Sequence, residues 1–344
     1  MANIKEVALR AGVSTSTVSR TLSGKIYVDP ETKRRVQQAV RELNYRPNAL
    51  AKGLKEGRTK TLGLIIPNLH NLLFPAAIRG ITAVAKKHGY TVVLCNTDED
   101  RAAEQKDVEN LRLRAVDGLI FSTATPASQH IMELKKQGYP VVLMLRRLND
   151  ELDSVIIDNY QGAYRAAQFL IERGYRRIGI INGALELDLY QQRLAGYRAA
   201  LAENGVVCDE RLIADDRAGW EDGYRAMHEI LDRGGRPDAI FATSDPKALG
   251  VIKAIKERGL RVPEDIAVIG YDNLDMSELM DPPLTTMAQP FYEVGTKTAE
   301  RLIRLINSKG KLKPVTEKLE VQLLIRGSVG YGAAFSKNGT AVGR

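Results

Sequence analysis

Short runs of Val, Ile and Leu recur along most of the chain from residue 62 onward, and amphipathic stretches separate them. The runs occupy 62–66, 91–95, 117–121, 140–144, 154–158, 177–181, 238–242 and 265–272. Because polar residues do not alternate with apolar ones inside the runs, they predict strands that are covered on both faces. Helices between such strands require parallel βαβ connections. The pattern predicts an α/β body with two parallel, doubly wound sheets.

The first 45 residues have a helical periodicity instead. One helical face is formed by Ile4, Val7, Ala8 and Ala11. Asn3 and Glu6 form an Asx version of the capping box, so the first helix is predicted to run from about Ile4 to Ala11. A third helix is predicted to start at Asp29 and Pro30. Its apolar face consists of Val36, Ala39, Val40 and Leu43.

A second short helix is predicted over Thr15–Leu22, after a break at Gly12 and with Ser14 as its cap. Val18 and Leu22 are expected to pack inward. The opposite arc then has no apolar residue and carries Thr15, Ser16, Ser19 and Arg20. Two helices joined by a short turn that contains Gly, with short polar side chains and one Arg facing outward, predict a helix-turn-helix that enters a major groove.

All of the net charge lies in the first 60 residues. This segment has 13 Lys and Arg against five Asp and Glu, a net charge of +8, and residues 61–344 contain 37 basic and 37 acidic residues. A localised positive field attracts the phosphate backbone of nucleic acid. The charge therefore supports a small, all-α DNA-binding domain attached to a neutral body.

The 344 residues, 44% hydrophobic and 27% charged, are typical of a globular protein with two or three domains. The first ten residues lack the basic and then apolar pattern of an export signal, and no apolar run approaches the ~20 residues that span a bilayer. We therefore expect a cytoplasmic protein with no membrane partner. Cys95 and Cys208 have no CxxC spacing, and we expect neither a metal nor a cofactor.

Three classes of protein compete: a ligand-controlled transcription regulator, a transport binding protein and a nucleotide-using α/β enzyme. A transport binding protein would need an export signal and has no use for a basic helix-turn-helix domain. The chain has no GxGxxG after a strand and no GxxxxGK[ST], GxSxG or HExxH motif, and its four histidines form no cluster in the sequence. The regulator is therefore the prediction, and we do not expect an enzyme.

Residues 4–54, with AGVSTSTVSR at 11–20 and ELNYRPN at 42–48, resemble the DNA-binding headpiece of the lactose/galactose repressor (LacI/GalR) family. The resemblance implies base reading by Thr15, Ser16 and Arg20. It implies further DNA contacts, several of them to phosphates, by Ser14, Thr17, Ser19 and Tyr27. Arg can bond bidentately to guanine, so we expect the strongest sequence preference from Arg20. The alternative for Ser14 is that it only caps its helix.

A hinge segment at 47–54 follows the headpiece. It is too short to be a stable helix alone, and Gly53 weakens it by up to ~1 kcal/mol relative to Ala, so it should order only when something holds it. The resemblance implies that it folds as two subunits meet on DNA and that Leu54 wedges into the minor groove. Ala51 would lie beside Leu54, and Asn48 would contact the DNA backbone or groove edge. The alternative is that Leu54 packs against its own body.

The body also resembles this family, whose two-lobed effector-binding core is similar to periplasmic sugar-binding proteins. The matching motifs are NLLFPAAIRG at 71–80, VIIDN at 155–159, QRLAGYRAAL at 192–201, TSDPKALG at 243–250 and VIGYDN at 268–273. The implied domains are a headpiece at 1–46, a hinge and linker at 47–60, a core at 61–330 and a disordered tail at 331–344. Within the core, an N-lobe is expected at about 61–158 and 290–322, and a C-lobe at about 162–286 and 325–330. The lobe crossings are expected near 158–162, 286–290 and 322–325.

The resemblance implies an effector site between the lobes, outside the carboxyl ends of the strands. Phe74 would line the N-lobe side, Arg193 would point at ligand oxygens and Asp272 would accept hydrogen bonds from the ligand. The alternatives are a surface salt bridge for Arg193 and a cap for Asp272. Arg146 would lie near the cleft, and Ser244 stands where many sugar-binding members carry Asn. Two arginines with few carboxylates favour a phosphorylated or acidic ligand over a neutral hexose or a purine.

Repression is the mode that the family implies, and activation by the same machinery is the alternative. The effector class that the family implies is a sugar or a sugar derivative. A homodimer on a pseudo-palindromic operator is expected, because two recognition helices need a two-fold partner.

Overall fold

The computed structural model describes residues 2–24, 26–45, 57–215, 218–308 and 312–332. The chain divides into two compact units, Met1–Lys60 and Thr61–Arg344. The predicted hinge residues Asn48, Ala51 and Leu54 and the predicted tail from residue 333 onward lie outside the described residues.

The described part of the N-terminal unit consists of helices α1 (Ile4–Ala11), α2 (Thr15–Ser23) and α3 (Pro30–Glu42). The predicted capping box of α1 is confirmed: the Asn3 side chain accepts from the Glu6 N–H at 3.1 Å, and the Glu6 carboxylate accepts from the Asn3 N–H at 3.2 Å. Gly12 follows α1 with φ 66°, a left-handed conformation that costs glycine little. It turns the chain between α1 and α2.

A small apolar core holds these helices together. Its buried members are Val7, Ala8, Ala11, Val18, Val36 and Ala39. Partly buried residues around them include Val13, Leu22, Val40 and Leu43. The apolar faces predicted for the three helices therefore face one another, which leaves the outer arc of α2 exposed.

The body alternates strands and helices. Its first part contains β1 (Thr61–Ile66), α4 (Phe74–Lys87), β2 (Thr91–Asn96), α5 (Arg101–Leu113), β3 (Gly118–Phe121), α6 (Gln129–Lys136), β4 (Val141–Met144) and β5 (Asp153–Ile157). The second part contains α7 (Asn159–Glu172), β6 (Ile178–Ile181), α8 (Asp188–Glu203), β7 (Ile213–Ala214), α9 (Gly219–Asp232), β8 (Ala239–Ala242), α10 (Asp245–Glu257), β9 (Ala267–Asp272), α11 (Asp275–Leu279) and β10 (Thr285–Ala288). The chain ends with α12 (Phe291–Ser308), β11 (Thr316–Leu319) and β12 (Gln322–Leu324).

Two sheets result, and they define two lobes. In the described residues the first sheet has the order β11-β5-β4-β3-β1-β2 and is parallel throughout. The second has the order β12-β10-β9-β8-β6-β7, with β12 antiparallel to β10. The chain changes sheet between β5 and β6, between β10 and β11, and between β11 and β12. The last change occurs at residues 320–321 and not at the predicted 322–325, because Gln322 already pairs with Ala288 of β10.

Strand β2 differs from its prediction. The run at 91–95 was expected to be covered on both faces, yet β2 is the edge strand of the first sheet and Leu94 is 39% exposed. An edge strand has a neighbour on one side only, so its apolar side chains are partly uncovered.

The returning segment, α12 and β11, completes the first lobe. Strand β11 pairs with β5, and Leu302 and Ile306 of α12 belong to a core cluster that also contains residues of α4, β1 and β4. Asp153, fully buried at the start of β5, accepts from Arg301 Nε at 2.6 Å and from the Val315 N–H at 3.0 Å. Arg301 and Val315 follow Asp153 by 148 and 162 positions, so this carboxylate binds parts of the first lobe that are distant in sequence.

Helices α9 and α10 of the second lobe cross at two glycines. A Cβ atom on Gly250 would overlap the backbone oxygen of Trp220, and one on Gly223 would overlap the backbone oxygen of Lys247. Only glycine allows backbones to approach this closely. This crossing packs the first half of α10 directly against α9.

Candidate DNA-binding and effector sites

The outer arc of α2 carries the predicted DNA contacts. Its exposed side chains are those of Ser14, Thr15, Ser16 and Arg20. Thr17 and Ser19 are half-buried, and Val18 between them is fully buried in the headpiece core. Short polar side chains and one guanidinium on an exposed helix face can approach base edges without steric obstruction.

The hydroxyl of Ser14 is a helix cap. Its Oγ accepts from the Thr17 N–H at 3.2 Å and lies 2.8 Å from the Ser16 hydroxyl and 2.9 Å from the Thr17 hydroxyl. Ser14 therefore caps α2, and its contact with a phosphate stays a prediction. Capping and phosphate binding are compatible, because the N–H groups of a helix N-terminus also attract anions.

Tyr27 lies in the loop between α2 and α3 and is 86% exposed. Its ring and hydroxyl are therefore available to a partner molecule, next to the exposed Ile26. The other predicted contacts, at Asn48, Ala51 and Leu54, are outside the described residues.

A cavity of about 380 Å³ lies between the lobes of the body. The first lobe lines it with residues within 124–132 and 145–149, which follow β3 and β4, and the second lobe with residues within 186–192, which follow β6. Ile156 and Asn159, at the first crossing between sheets, also line it. The cavity thus lies outside the carboxyl ends of parallel strands, where α/β proteins bind ligands, and its size suits a small molecule.

Arg193 lies behind this cavity on α8 and is 5% exposed. Its Nε donates to Asn159 Oδ1 at 2.8 Å, and its Nη1 donates to the Thr243 carbonyl oxygen at 2.5 Å. The guanidinium carbon lies 3.9 Å from the centre of the Tyr271 ring. The alternative of a surface salt bridge is wrong, because the side chain is buried and stacked. Through Asn159 it is one hydrogen bond away from the cavity.

Lys247 and Tyr190 lie beside Arg193, and no sequence pattern had indicated either of them. Lys247, on α10, is 1% exposed, and its Nζ lies 3.4 Å from Ser244 Oγ and 5.0 Å from the centre of the Tyr190 ring. Tyr190 packs on Gly183, where a Cβ atom would overlap the ring. The nearby charge of Lys247, followed by that of Arg193, holds the pKa of Tyr190 below its usual value.

Asp272 ends β9 and is 6% exposed. Its Oδ1 accepts from Gln289 Nε2 at 2.5 Å. Burial raises the pKa of this carboxyl group, and the charges of Arg193 and Lys247 oppose the rise. Its φ of 126° is rare for a residue with a side chain, and such strain is often found at functional sites.

A second buried carboxylate, Asp245, starts α10. Its Oδ1 accepts from the Thr286 hydroxyl at 2.6 Å and its Oδ2 from the Leu274 N–H at 2.8 Å. Burial, with the nearby charge of Asp272, raises the pKa of Asp245. Both oxygens have neutral donors, so this carboxylate joins α10, α11 and β10 at the site.

Arg146 follows β4 and lines the cavity. Its Nη1 donates to the Leu145 carbonyl oxygen at 3.1 Å, and its Nε is buried with no hydrogen-bond partner among the described residues. Burial lowers the pKa of this guanidinium. A buried donor without an acceptor is costly, so the geometry favours a ligand that supplies one.

Comparison with known proteins identifies the chain. A model of the periplasmic binding proteins and sugar binding domain of the LacI family matches residues 59–325, and a model of bacterial regulatory proteins of the lacI family matches residues 3–48. The chain belongs to the LacI family. The HTH-type transcriptional repressor CytR of Escherichia coli is 36% identical over 331 residues, which cover 95% of this chain and 96% of that protein.

Two solved structures match nearly the whole chain. The complex of the transcriptional regulator CelR with cellobiose is 32% identical, with a TM-score of 0.74 and coverage of 95% of this chain and 100% of that chain. The lac repressor dimer bound to operator and the anti-inducer ONPF is 28% identical, with a TM-score of 0.86 and coverage of 96% and 99%. The predicted fold class is confirmed, and this LacI-family protein is a DNA-binding regulator and not an enzyme.

Within this LacI-family body the structure brings four of the predicted effector residues together, namely Arg146, Arg193, Ser244 and Asp272. Of these four only Arg146 lines the cavity, and Arg193, Ser244 and Asp272 do not. Phe74 does not line the cavity either. It is 2% exposed and lies in the core, because it is the first residue of α4 and belongs to the buried face of that helix.

No helix among the described residues is both long and apolar enough to cross a membrane. In the same part of the chain, no group of three or more His, Cys, Asp or Glu side chains is arranged to hold a metal ion.

Proposed function

We propose that this LacI-family protein is a transcriptional repressor whose operator affinity is set by a small molecule bound between the two lobes of its body. The cavity of about 380 Å³, lined by residues of both lobes, is the observation that carries the proposal. A ligand held by both lobes stabilises one arrangement of the lobes over others. The headpiece binds the DNA, and the lobes control that binding. A solute-binding protein does not need a DNA-binding headpiece.

A sugar or a sugar derivative is the effector class that the site favours. Arg146 and Arg193 offer donors, Asp272 offers an acceptor and Ser244 offers both, which are the groups that polyhydroxylated ligands need. The relative solved with cellobiose supports this class. We assign the effector contacts to these four residues.

Two copies of the chain bind one pseudo-palindromic operator in this proposal, as the lac repressor dimer supports. Arg20, Thr15 and Ser16 read bases in the major groove. The other DNA contacts are assigned to Ser14, Thr17, Ser19, Tyr27, Asn48, Ala51 and Leu54. Because its target is DNA, the protein acts in the cytoplasm. Activation would use the same contacts at a differently placed operator.

Coupling between the effector cavity and the DNA-binding surface needs one structural element with two alternative arrangements. The effector and the operator must each favour one of these arrangements. The crossings between the lobes provide this element, because the last two join the lobes through two residues each, 289–290 before α12 and 320–321 after β11. Closure of the lobes on the effector changes how the two first lobes of a dimer meet, and thus whether their hinge segments can pair on DNA.

The function is tested by two measurements on the full chain. Thermal unfolding is followed with sugars, sugar acids, sugar phosphates and nucleobases, since a ligand at 100 times its Kd stabilises by about 2.7 kcal/mol. Each compound that raises Tm is then added to the protein bound to an operator selected from random DNA. A change in operator affinity supports the proposal. A stabilising ligand that leaves operator affinity unchanged would contradict effector control.

Arg20→Ala is expected to weaken operator binding by roughly 10-fold to 100-fold, because a bidentate contact to guanine contributes about 1–3 kcal/mol of discrimination. Binding to random DNA should weaken much less. Fluorescence anisotropy with operator and random duplexes at one salt concentration measures both.

Arg41→Ala is the matched control for Arg20→Ala, since it removes one exposed charge from α3. It should weaken operator and random DNA binding to the same small extent. If Arg20→Ala also lowers both affinities equally, Arg20 contacts only phosphates.

A further inference from the structure

Three cations converge on one tyrosine behind the effector cavity. The Lys247 Nζ lies 5.0 Å and the Arg193 guanidinium carbon 5.5 Å from the centre of the Tyr190 ring. Lys247, Arg193 and Arg146 all lower the pKa of the Tyr190 hydroxyl, so each acts on the same phenol. We call Arg146, Arg193, Lys247 and Tyr190 the cationic cluster.

The contacts of these cations are neutral. Arg193 donates to a side-chain amide oxygen and a backbone carbonyl. Lys247 reaches the hydroxyl of Ser244, and Arg146 donates to the carbonyl oxygen of its neighbour while its Nε has no partner. Among the described residues, none of the three forms an ion pair with a carboxylate.

Asp272 is the buried carboxylate that interacts with this cluster, and Gln289 already donates to one of its oxygens. The exposed carboxylate of Glu99 interacts electrostatically with Arg146. Both oxygens of Asp245 are bound by neutral donors. Buried charge is costly unless it is paired. Three cations facing one acceptor of this kind leave an excess of positive charge in a site from which water is largely excluded.

Arg146 lines the cavity, whose charged lining residues also include Arg147, Glu186 and Asp188. The positive excess therefore lies at the buried rear of the site, around Arg193 and Lys247, and not over the whole lining.

We propose that the effector is a saccharide with an anionic group, a carboxylate or a phosphate, which binds among Arg146, Arg193 and Lys247 beside the Tyr190 hydroxyl. This inference rests on the proposed effector function of the cavity. The two planar guanidinium groups and the compact ammonium group together match the oxygens of either anion. Asp272 is then left to accept a hydrogen bond from a hydroxyl group of the same ligand.

The first experiment compares matched neutral and acidic sugars on the full chain. Thermal unfolding is followed with glucose, glucuronate and glucose 6-phosphate, and with galactose, galacturonate and galactose 6-phosphate, all at one ionic strength. Gluconate and inorganic phosphate are added as separate probes. We expect an acidic member of a set to bind about 10-fold to 100-fold more tightly than its neutral counterpart. The carboxylate and phosphate arms distinguish the two kinds of anion.

The outcomes separate this inference from the proposed function. A neutral sugar that binds as tightly as its acid or phosphate, and that changes operator affinity, overturns the inference and supports the function. The absence of any Tm shift with every acid and phosphate also overturns the inference. The proposed function fails on its own test, when no stabilising compound of the wider screen changes operator affinity.

Lys247→Met tests the residue that is most specific to the cluster. We expect an acidic effector to bind about 10-fold to 100-fold more weakly. The ligand-free variant should unfold at the same or a higher temperature, because the substitution removes a buried cation and keeps the side-chain length.

Lys253→Met, exposed on the same helix, is the matched control and should change neither quantity. A lower Tm of ligand-free Lys247→Met, with unchanged affinity for the acid, would identify a structural lysine and overturn the inference. If Lys247→Met does not fold, the comparison of matched neutral and acidic sugars on the unaltered chain still tests whether the effector carries an anionic group.

Discussion

Arg193→Ala is expected to weaken effector binding by about 30-fold or more, since loss of one buried, hydrogen-bonded charge at an interface costs about 2–5 kcal/mol. The side chain is 5% exposed and holds Asn159, a residue that lines the cavity. Its removal deletes a charge and leaves two buried oxygens without a donor. Calorimetric titration with the effector found in the screen measures the loss.

Arg198→Ala is the matched control, because Arg198 is on the same helix, is exposed and pairs with Glu210 at 2.9 Å. An exposed pair contributes at most about 1 kcal/mol, so effector affinity should change little. Arg193→Lys should restore little binding, since an ammonium group cannot donate in the two directions that Asn159 and Thr243 require. Equal affinities of Arg193→Ala and Arg198→Ala would exclude Arg193 from the effector site.

Gly250→Ala is expected to lower the free energy of unfolding of the body by about 3 kcal/mol, the upper part of the usual range for overpacking. The added methyl group would overlap the backbone oxygen of Trp220, which has no rotamer to move out of the way. The helices must therefore separate along their whole crossing. Chemical denaturation followed by circular dichroism measures the difference.

Gly330→Ala is the matched control for this effect. The nearest heavy atom to its added Cβ would lie 3.4 Å away, on the ring of Pro263, which is an ordinary contact. This variant should be almost as stable as the unaltered chain. If Gly250→Ala is as stable as the unaltered chain, α9 and α10 can separate enough for a methyl group at low cost, and the close approach does not limit stability.

Apolar runs were sufficient to predict β1 to β6, β8 and β9. The short strands β7 and β12 were not predicted, and neither were β10 and β11, whose sequences, TTMA and TEKL, contain few apolar residues. The two threonines of β10 are nevertheless fully buried, since the Thr285 hydroxyl accepts from the Arg326 N–H and the Thr286 hydroxyl donates to Asp245. These partners come from distant segments, so no local pattern indicates that the residues are buried.

The effector site was predictable only where the family resemblance reached it. Arg193 and Asp272 were predicted through their motifs, whereas Lys247, in the motif TSDPKALG, was passed over. A lysine in a helix is usually exposed, and only the packing of α10 against α9 shows this one to be buried. The contact of Phe74 with the effector stays a prediction: its motif was recognised, and the structure shows its side chain buried in the core.

The split arrangement of the first lobe has a consequence for synthesis on the ribosome. Strand β5 emerges early, but its neighbour β11 and the Arg301 that binds Asp153 follow only after β6 to β10 of the second lobe. Until then the nascent chain exposes an unpaired strand edge and a carboxylate without its partners, features that favour misassociation. The second lobe must therefore fold before the first lobe is complete, or together with it. A chain truncated after residue 290 lacks α12 and β11 and should aggregate.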